Sequence, residues 1–162
     1  MNLSNVQSID EIRNIIEDWH NYYYPKMRYT KDDAQVIPSG VTTKILYNDI
    51  DYDTKSCFDL ANSRFVAPFD GYYHICAALL IGSQNFLATN NFRFYVYKNN
   101  ILVIRKHKII EANCTEYIQQ DLSTDMYLLK NEYIEIFFSH NFGSDLALHV
   151  DSDYNYFSVH RI

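Results

Sequence analysis

The chain is poor in the residues that punctuate and staple small folds. With 4 glycines and 3 prolines among 162 residues, it has no glycine-rich loop to cradle a phosphate and no collagen-like or low-complexity stretch. Its 3 cysteines, Cys57, Cys76 and Cys114, are odd in number and lack the paired spacing of a zinc ligand set, so they read as small buried hydrophobes. Positive charge is also short. Fourteen Lys and Arg against 20 Asp and Glu give a net charge of -6, which argues against a nucleic-acid surface, because that needs clustered cations to displace condensed counterions. Arg105, Lys106 and Lys108 form the one dense basic cluster; on a strand they alternate between faces and read as edge charges. The longest apolar run, around Ile75 to Ile81, is too short to cross a bilayer, and the start "MNLSNVQSIDEIR" lacks the basic and apolar regions of a secretory signal. No membrane insertion is expected. A virion or cell-surface location would require another route: a phage tail, lysis, a different secretion system or a longer parent chain.

Catalytic signatures are missing too. There is no Gly-x-Ser-x-Gly elbow, no His-Glu-x-x-His, no His-x-His of an enzymatic jelly roll and no motif-borne carboxylate pair, so no enzyme is expected.

What the chain does contain is hydrophobic and aromatic residues, 48% and 16%, including 15 tyrosines, a bias toward strands and contact surfaces. Its length suits one main domain with a real core. Two segments are distinguished. In residues 1–26, Ser8 followed by Glu11 forms a capping box, Asp10 and Glu11 complement the helix dipole, and Pro25 ends the run. Ile9, Ile12, Ile16, Trp19 and Tyr23 recur at alternating spacings of three and four, the seam of a short coiled coil. From 27 to 162 the hydrophobic period changes to two, predicting strands near 27–30, 43–47, 64–67, 71–81, 91–98, 101–109, 115–121, 124–129, 132–140, 145–150 and 154–161. Asn99, Asn100 and Asn131 sit at tight turns, and the acidic stretch 48–53 reads as a loop.

The stretch "RFVAPFDGYYHICAALLIG" poses the central problem. Tyr73, Ile75, Ala77, Leu79 and Ile81 share one face of a strand, Tyr72, His74, Cys76, Ala78 and Leu80 the other, and neither looks wet. Around it, Tyr47, Asp53, Phe58, Phe65, Gly71, Tyr73, Ile75 and Ala77 fall at the spacing of a family signature: Phe, five residues, Asn or Asp, four residues, an aromatic or Leu, six residues, Phe, five residues, Gly-x-Tyr-x-Phe-x-aromatic. "YLLKNEYIEIFF" resembles the family's Leu-x-x-Gly-Asp-x-Val segment, and "YFSVH" its closing strand, with Phe157 inward and Val159 where Gly is preferred. In these residues the chain resembles the globular heads of complement component 1q, which share a jelly roll with tumour necrosis factor ligands, and among them bacterial or phage fibre-tip members.

The resemblance implies an all-β antiparallel jelly-roll sandwich of about ten strands after a short N-terminal helix, with its inner sheet facing a threefold axis. On that geometry Tyr72, His74, Cys76, Tyr156, Ser158 and His160, together with Leu80, meet symmetry mates. The alternative is that the N-terminal helix covers this face within one chain. A homotrimer would bind a surface protein or glycan receptor by avidity, or would serve only as a trimerising cap of a fibre, virion or coat assembly. No cofactor is expected. Asp49, Asp51 and Asp53 mimic the start of a calcium loop that Thr54 and Leu60 do not complete, and Asp151 and Asp153 are a second candidate pair. His74 and His160 are candidates for an axial metal or pH-sensing cluster.

Overall fold

In the computed structural model, residues 8–162 are described; residues 1–7 of the predicted N-terminal segment, and the Tyr23 side chain of its seam, lie outside them. Helix α1 (Ile9–Tyr23) begins at the capping box: the Glu11 amide donates to Ser8 Oγ and the Ser8 amide to Glu11 Oε2, both at 3.1 Å. The described part of its seam does not reach the core. Ile9 is 77% exposed, and Ile12, Ile16 and Trp19 are exposed as well.

Thirteen strands follow among the described residues: β1 (Lys26–Thr30), β2 (Val36–Ile37), β3 (Thr43–Lys44), β4 (Asp49–Asp53), β5 (Phe58–Asp59), β6 (Arg64–Val66), β7 (Gly71–Phe86), β8 (Asn91–Lys98), β9 (Ile101–Ile109), β10 (Cys114–Leu128), β11 (Tyr133–His140), β12 (Leu146–Ala147) and β13 (Tyr156–Arg161). They form an antiparallel jelly-roll sandwich. One sheet runs β10-β7-β13-β1-β4 and the other β5-β6-β11-β8-β9, with β3 also on β11 and a separate β12-β2 pair.

Alternation along β7 explains the layering. Tyr73, Ile75, Ala77, Leu79 and Ile81 are buried and point between the sheets, where they meet inward residues of β6, β11 and β13. Phe65 packs on Tyr73 at 5.3 Å between ring centroids, Phe58 stacks on Tyr29 at 4.0 Å, and Phe157 contacts both Tyr47 and Phe58. Ile136 and Phe138 of β11 supply the opposing wall. Asn99 and Asn100 take the left-handed conformation, φ 49° and 64°, that a two-residue hairpin between β8 and β9 demands. Gly71 opens β7 at φ 156°, and a Cβ there would stand 2.6 Å from Nε of Arg161, whose Nη2 donates to the Asp70 carbonyl. A side chain at this position would have to displace that guanidinium.

Three strand expectations need correction. The acidic stretch is not a loop: Asp49–Asp53 pairs with β1 as the edge strand β4, since the ladder partner supplied by β1 outweighs a local composition that disfavours strand. The two predicted strands 115–121 and 124–129 are one, β10, paired with β7 from Leu128 back to Cys114. The predicted 145–150 strand is only Leu146–Ala147, because the chain then turns to bridge Ile81 and Leu80 of β7 through Leu148 and His149. Among the described residues no helix is long and apolar enough to cross a membrane.

Candidate functional site: the outer face of the five-stranded sheet

Residues paired directly across an antiparallel sheet point to the same side, so the ladder register defines what the outer face presents. Nearest the start of β7, Tyr127 sits beside Tyr72. The next row is Asp125, His74, His160 and Lys26; then come Ser123, Cys76, Ser158 and Arg28; then Asp121, Ala78, Tyr156 and Thr30. The structure thus brings Tyr72, His74, Cys76, Tyr156, Ser158 and His160 onto one surface, while Tyr47, Phe58, Phe65, Tyr73, Ile75 and Phe157 lie in the core behind it.

Among the described residues α1 does not cover this surface. Tyr72 is 59% exposed, and its ring meets that of Tyr127 edge-on at 5.2 Å. Farther along β7 the cover changes: Ala78 and Leu80 are buried, Leu80 by its own chain. The Leu80 amide donates to Asn155 Oδ1 at 2.9 Å, and its carbonyl accepts from the His149 amide at 2.8 Å. Leu80 therefore does not need the subunit contact expected of it. Cys76 and Cys114 are only half-buried, unlike Cys57, and Cys76 belongs to a polar cluster rather than a core.

That cluster was not legible in the sequence, because it depends on the register of β7 against β10. His74 Nδ1 lies 2.6 Å from Asp125 Oδ1; on its other side Nε2 lies 3.1 Å from both Ser123 Oγ and Cys76 Sγ. His160 stacks obliquely on His74 at 5.1 Å. The connectivity is that of a nucleophile-His-Asp relay. The environment is not, since the orienting carboxylate of such a relay is buried, whereas the Asp125 side chain is 57% exposed and water competes for His74. The arrangement fixes the His74 ring on the sheet. Desolvation, and then the neighbouring His74, hold the His160 imidazole below the ordinary histidine range.

The calcium candidates do not converge on a common point. Asp51 pairs with Arg28 at 2.7 Å, and Asp53 accepts the amides of Cys57 and Phe58 at 2.8 and 2.9 Å, which closes the turn before β5. Asp49 stands exposed on β4, and Asp151 Oδ1 accepts the Asp153 amide. Neither the first three acids nor the second pair converges: no three His, Cys, Asp or Glu side chains among the described residues form a cation site. Arg105 of the basic cluster lies over the Tyr95 ring, and Lys106 pairs with Asp121, so these charges serve local contacts on β9.

No family model matches the chain. It is 28% identical over 133 residues to the uncharacterized protein YqcC of Bacillus subtilis (strain 168), a match of 74% of this chain and 35% of that protein. It is 30% identical over 138 residues to the phage-like element PBSX protein XkdV of the same organism, covering 77% of this chain and 19% of the relative. The chain thus spans about a third and a fifth of these two relatives. Among solved structures, Eiger TNF from S. frugiperda superposes with a TM-score of 0.62 over 86% of this chain and 92% of that one at 5% sequence identity, which establishes a tumour necrosis factor-like jelly roll.

Proposed function

We propose that the chain is the head of a homotrimer, carried on a phage-tail-like particle or other surface fibre, that recognises a protein or glycan receptor without catalysis. The observation that carries this reading is the outer sheet face. A sheet whose inner side is sealed in the core presents Tyr72 and His74 of β7, Tyr127 of β10 and His160 of β13 outward, with no cover from the described residues of α1. A second copy of the same face, around a threefold axis, satisfies these groups in the way the complement 1q signature implies. Ile9, Ile12 and Ile16 of α1, exposed in one chain, pack together in the same assembly, where three helices lie side by side. Likeness to a protein of a phage-like element and the tumour necrosis factor-like fold, which is typically non-enzymatic, support the same reading. Three copies of a weak site then bind a multivalent surface by avidity.

The direct test is Tyr72→Glu. This side chain is largely solvated in the single chain, so the variant should fold; three carboxylates in a shared interface should prevent assembly. A variant that remained trimeric would refute the interface. The second reading, a purely structural cap, draws on the match to only a fifth of XkdV, which fits one module of a longer protein. Substituting exposed tyrosines outside the interface separates the two: unchanged attachment of the trimer to host cells would favour the cap.

A further inference from the structure

Farther along β7 from Tyr72, the segment 149–155 folds over Leu80 and leaves a cavity of about 420 Å³ lined by Leu80, Tyr117, His149, Asp151 and Tyr154. We infer that this cavity is a binding subsite for a neutral, hydroxyl-rich saccharide, a proposal that rests on the recognition reading and gives it a ligand class. The volume lies within the roughly 300–1,000 Å³ of small-molecule sites.

Its frame is rigid. Asn155 is fully buried; its Oδ1 accepts from the Leu80 amide, its Nδ2 donates to the carbonyls of His149 and Asp151 at 2.6 and 3.0 Å, and its own carbonyl accepts from the Lys31 amide. One side chain therefore ties the covering segment to the sheet, so the wall exists before any ligand arrives.

The wall has the chemistry a sugar ring needs. Tyr117 and Tyr154 are about half exposed, and their phenol hydroxyls bond no described residue. Tyr117 is held edge-on against His149 at 5.4 Å. Asp151 uses Oδ1 on the Asp153 amide, and its Oδ2 bonds no described residue. Nδ1 of His149 is buried without a hydrogen-bond partner, an unsatisfied atom of the kind completed by water or a ligand. Aromatic rings and Leu80 offer apolar surface to the C–H face of a pyranose, and the free carboxylate oxygen accepts from its hydroxyls.

Two alternatives fit less well. A peptide adding to the sheet needs open backbone groups, yet both the amide and the carbonyl of Leu80 are occupied by the covering segment. An anionic glycan meets Asp151, Asp153 and a chain of net charge -6.

The test is a nuclear magnetic resonance titration of the isotope-labelled head with methyl α-glucopyranoside, methyl β-galactopyranoside, N-acetylglucosamine and N-acetylneuraminic acid. Saturable shifts centred on Leu80, Tyr117, His149, Asp151 and Tyr154 are expected with at least one neutral sugar, and at least tenfold weaker binding of the anionic one. Tyr117→Ala and Asp151→Asn, checked for unchanged thermal unfolding, should each weaken the neutral sugar by about tenfold, the loss of one charge-assisted hydrogen bond or one ring face. Absence of saturable shifts in this cavity with all three neutral sugars, or preference for N-acetylneuraminic acid, would overturn the assignment. Attachment to cells that survives both substitutions would overturn the subsite while sparing the recognition reading. Sugar shifts at the cavity in a head that attaches to no cell would do the opposite.

Discussion

Tyr47→Phe should make the protein more stable. Tyr47 is fully enclosed, its ring 5.7 Å from that of Phe157, and its hydroxyl is buried with no hydrogen-bond partner. An unpaired buried hydroxyl costs about 1–3 kcal/mol, whereas the ring's packing is the same in phenylalanine. Removing the oxygen alone leaves little space behind, so a net gain of about 1 kcal/mol or more is expected, or a Tm rise of about 2–4 °C per kcal/mol for a chain of this size. Burial also drives the Tyr47 phenol well above its ordinary value of 10.0. The folded state thus holds this proton more tightly than the unfolded one, and the stability tied to it falls as pH rises past 10, the range in which the unfolded phenol ionises. The phenylalanine variant has no such group, so its advantage should widen above pH 10. Urea unfolding of both proteins at one concentration, repeated at pH 8 and above pH 10, measures each part. A variant destabilised by 1 kcal/mol or more would mean that the hydroxyl is satisfied and the reasoning wrong.

Other perturbations follow from the same geometry. Asn155→Ala should cost about 3 kcal/mol, because it strands the Leu80 amide and two carbonyls under the segment 149–155; calorimetric unfolding reads this, and a loss below 1 kcal/mol would show that water takes its place. Burial, and then the Asp53 carboxylate, push the Cys57 thiol from 9.0 up to about 12, so stability should decline between those pH values, and Cys57→Ala should remove that part of the alkaline slope. On the acid side, burial lowers the His140 pKa: its Nε2 donates to the Ile37 carbonyl while Nδ1 accepts the Phe142 amide, an arrangement only the neutral ring can make. His160 is lowered as well, so the contribution of both is present above about pH 6.5 and lost as pH falls through the folded-state values. A urea midpoint that is flat from pH 7 to 5 would contradict this.

Much of the fold was readable because its determinants are local. Ser8 and Glu11 meet as the capping box predicts, Asn99 and Asn100 occupy the left-handed region, and the two-residue alternation in β7 and β13 assigns the inward side chains to the core, while Ala78 and Leu80 on the outward parity are buried by their own chain. What failed was decided by distant partners. Asp49–Asp53 has the composition of a loop and becomes a strand because β1 offers it a ladder. Polar Gln120 and Thr124 share the inward side of β10 with Ile118 and Leu122, so the apolar alternation that would mark one long strand is broken in the sequence. The site divides in the same way. The outward parity of Tyr72, His74, Tyr156 and His160 follows from spacing, but the meeting of His74 with Asp125 and Ser123 follows from register between strands some fifty residues apart. Asn155 carries no motif; only the tertiary fold shows it as the tie for the segment over Leu80.

Tyr156, an obvious place for a charge at the proposed axis, is less informative than Tyr72, since Arg28 lies over its ring at 4.7 Å and would neutralise an introduced carboxylate. The plainest test of the trimeric head is the absolute mass of the wild-type protein in solution by light scattering or native mass spectrometry. Three times the 19.2 kDa chain is the predicted result, and a monomer at concentrations well above the micromolar range would contradict the account.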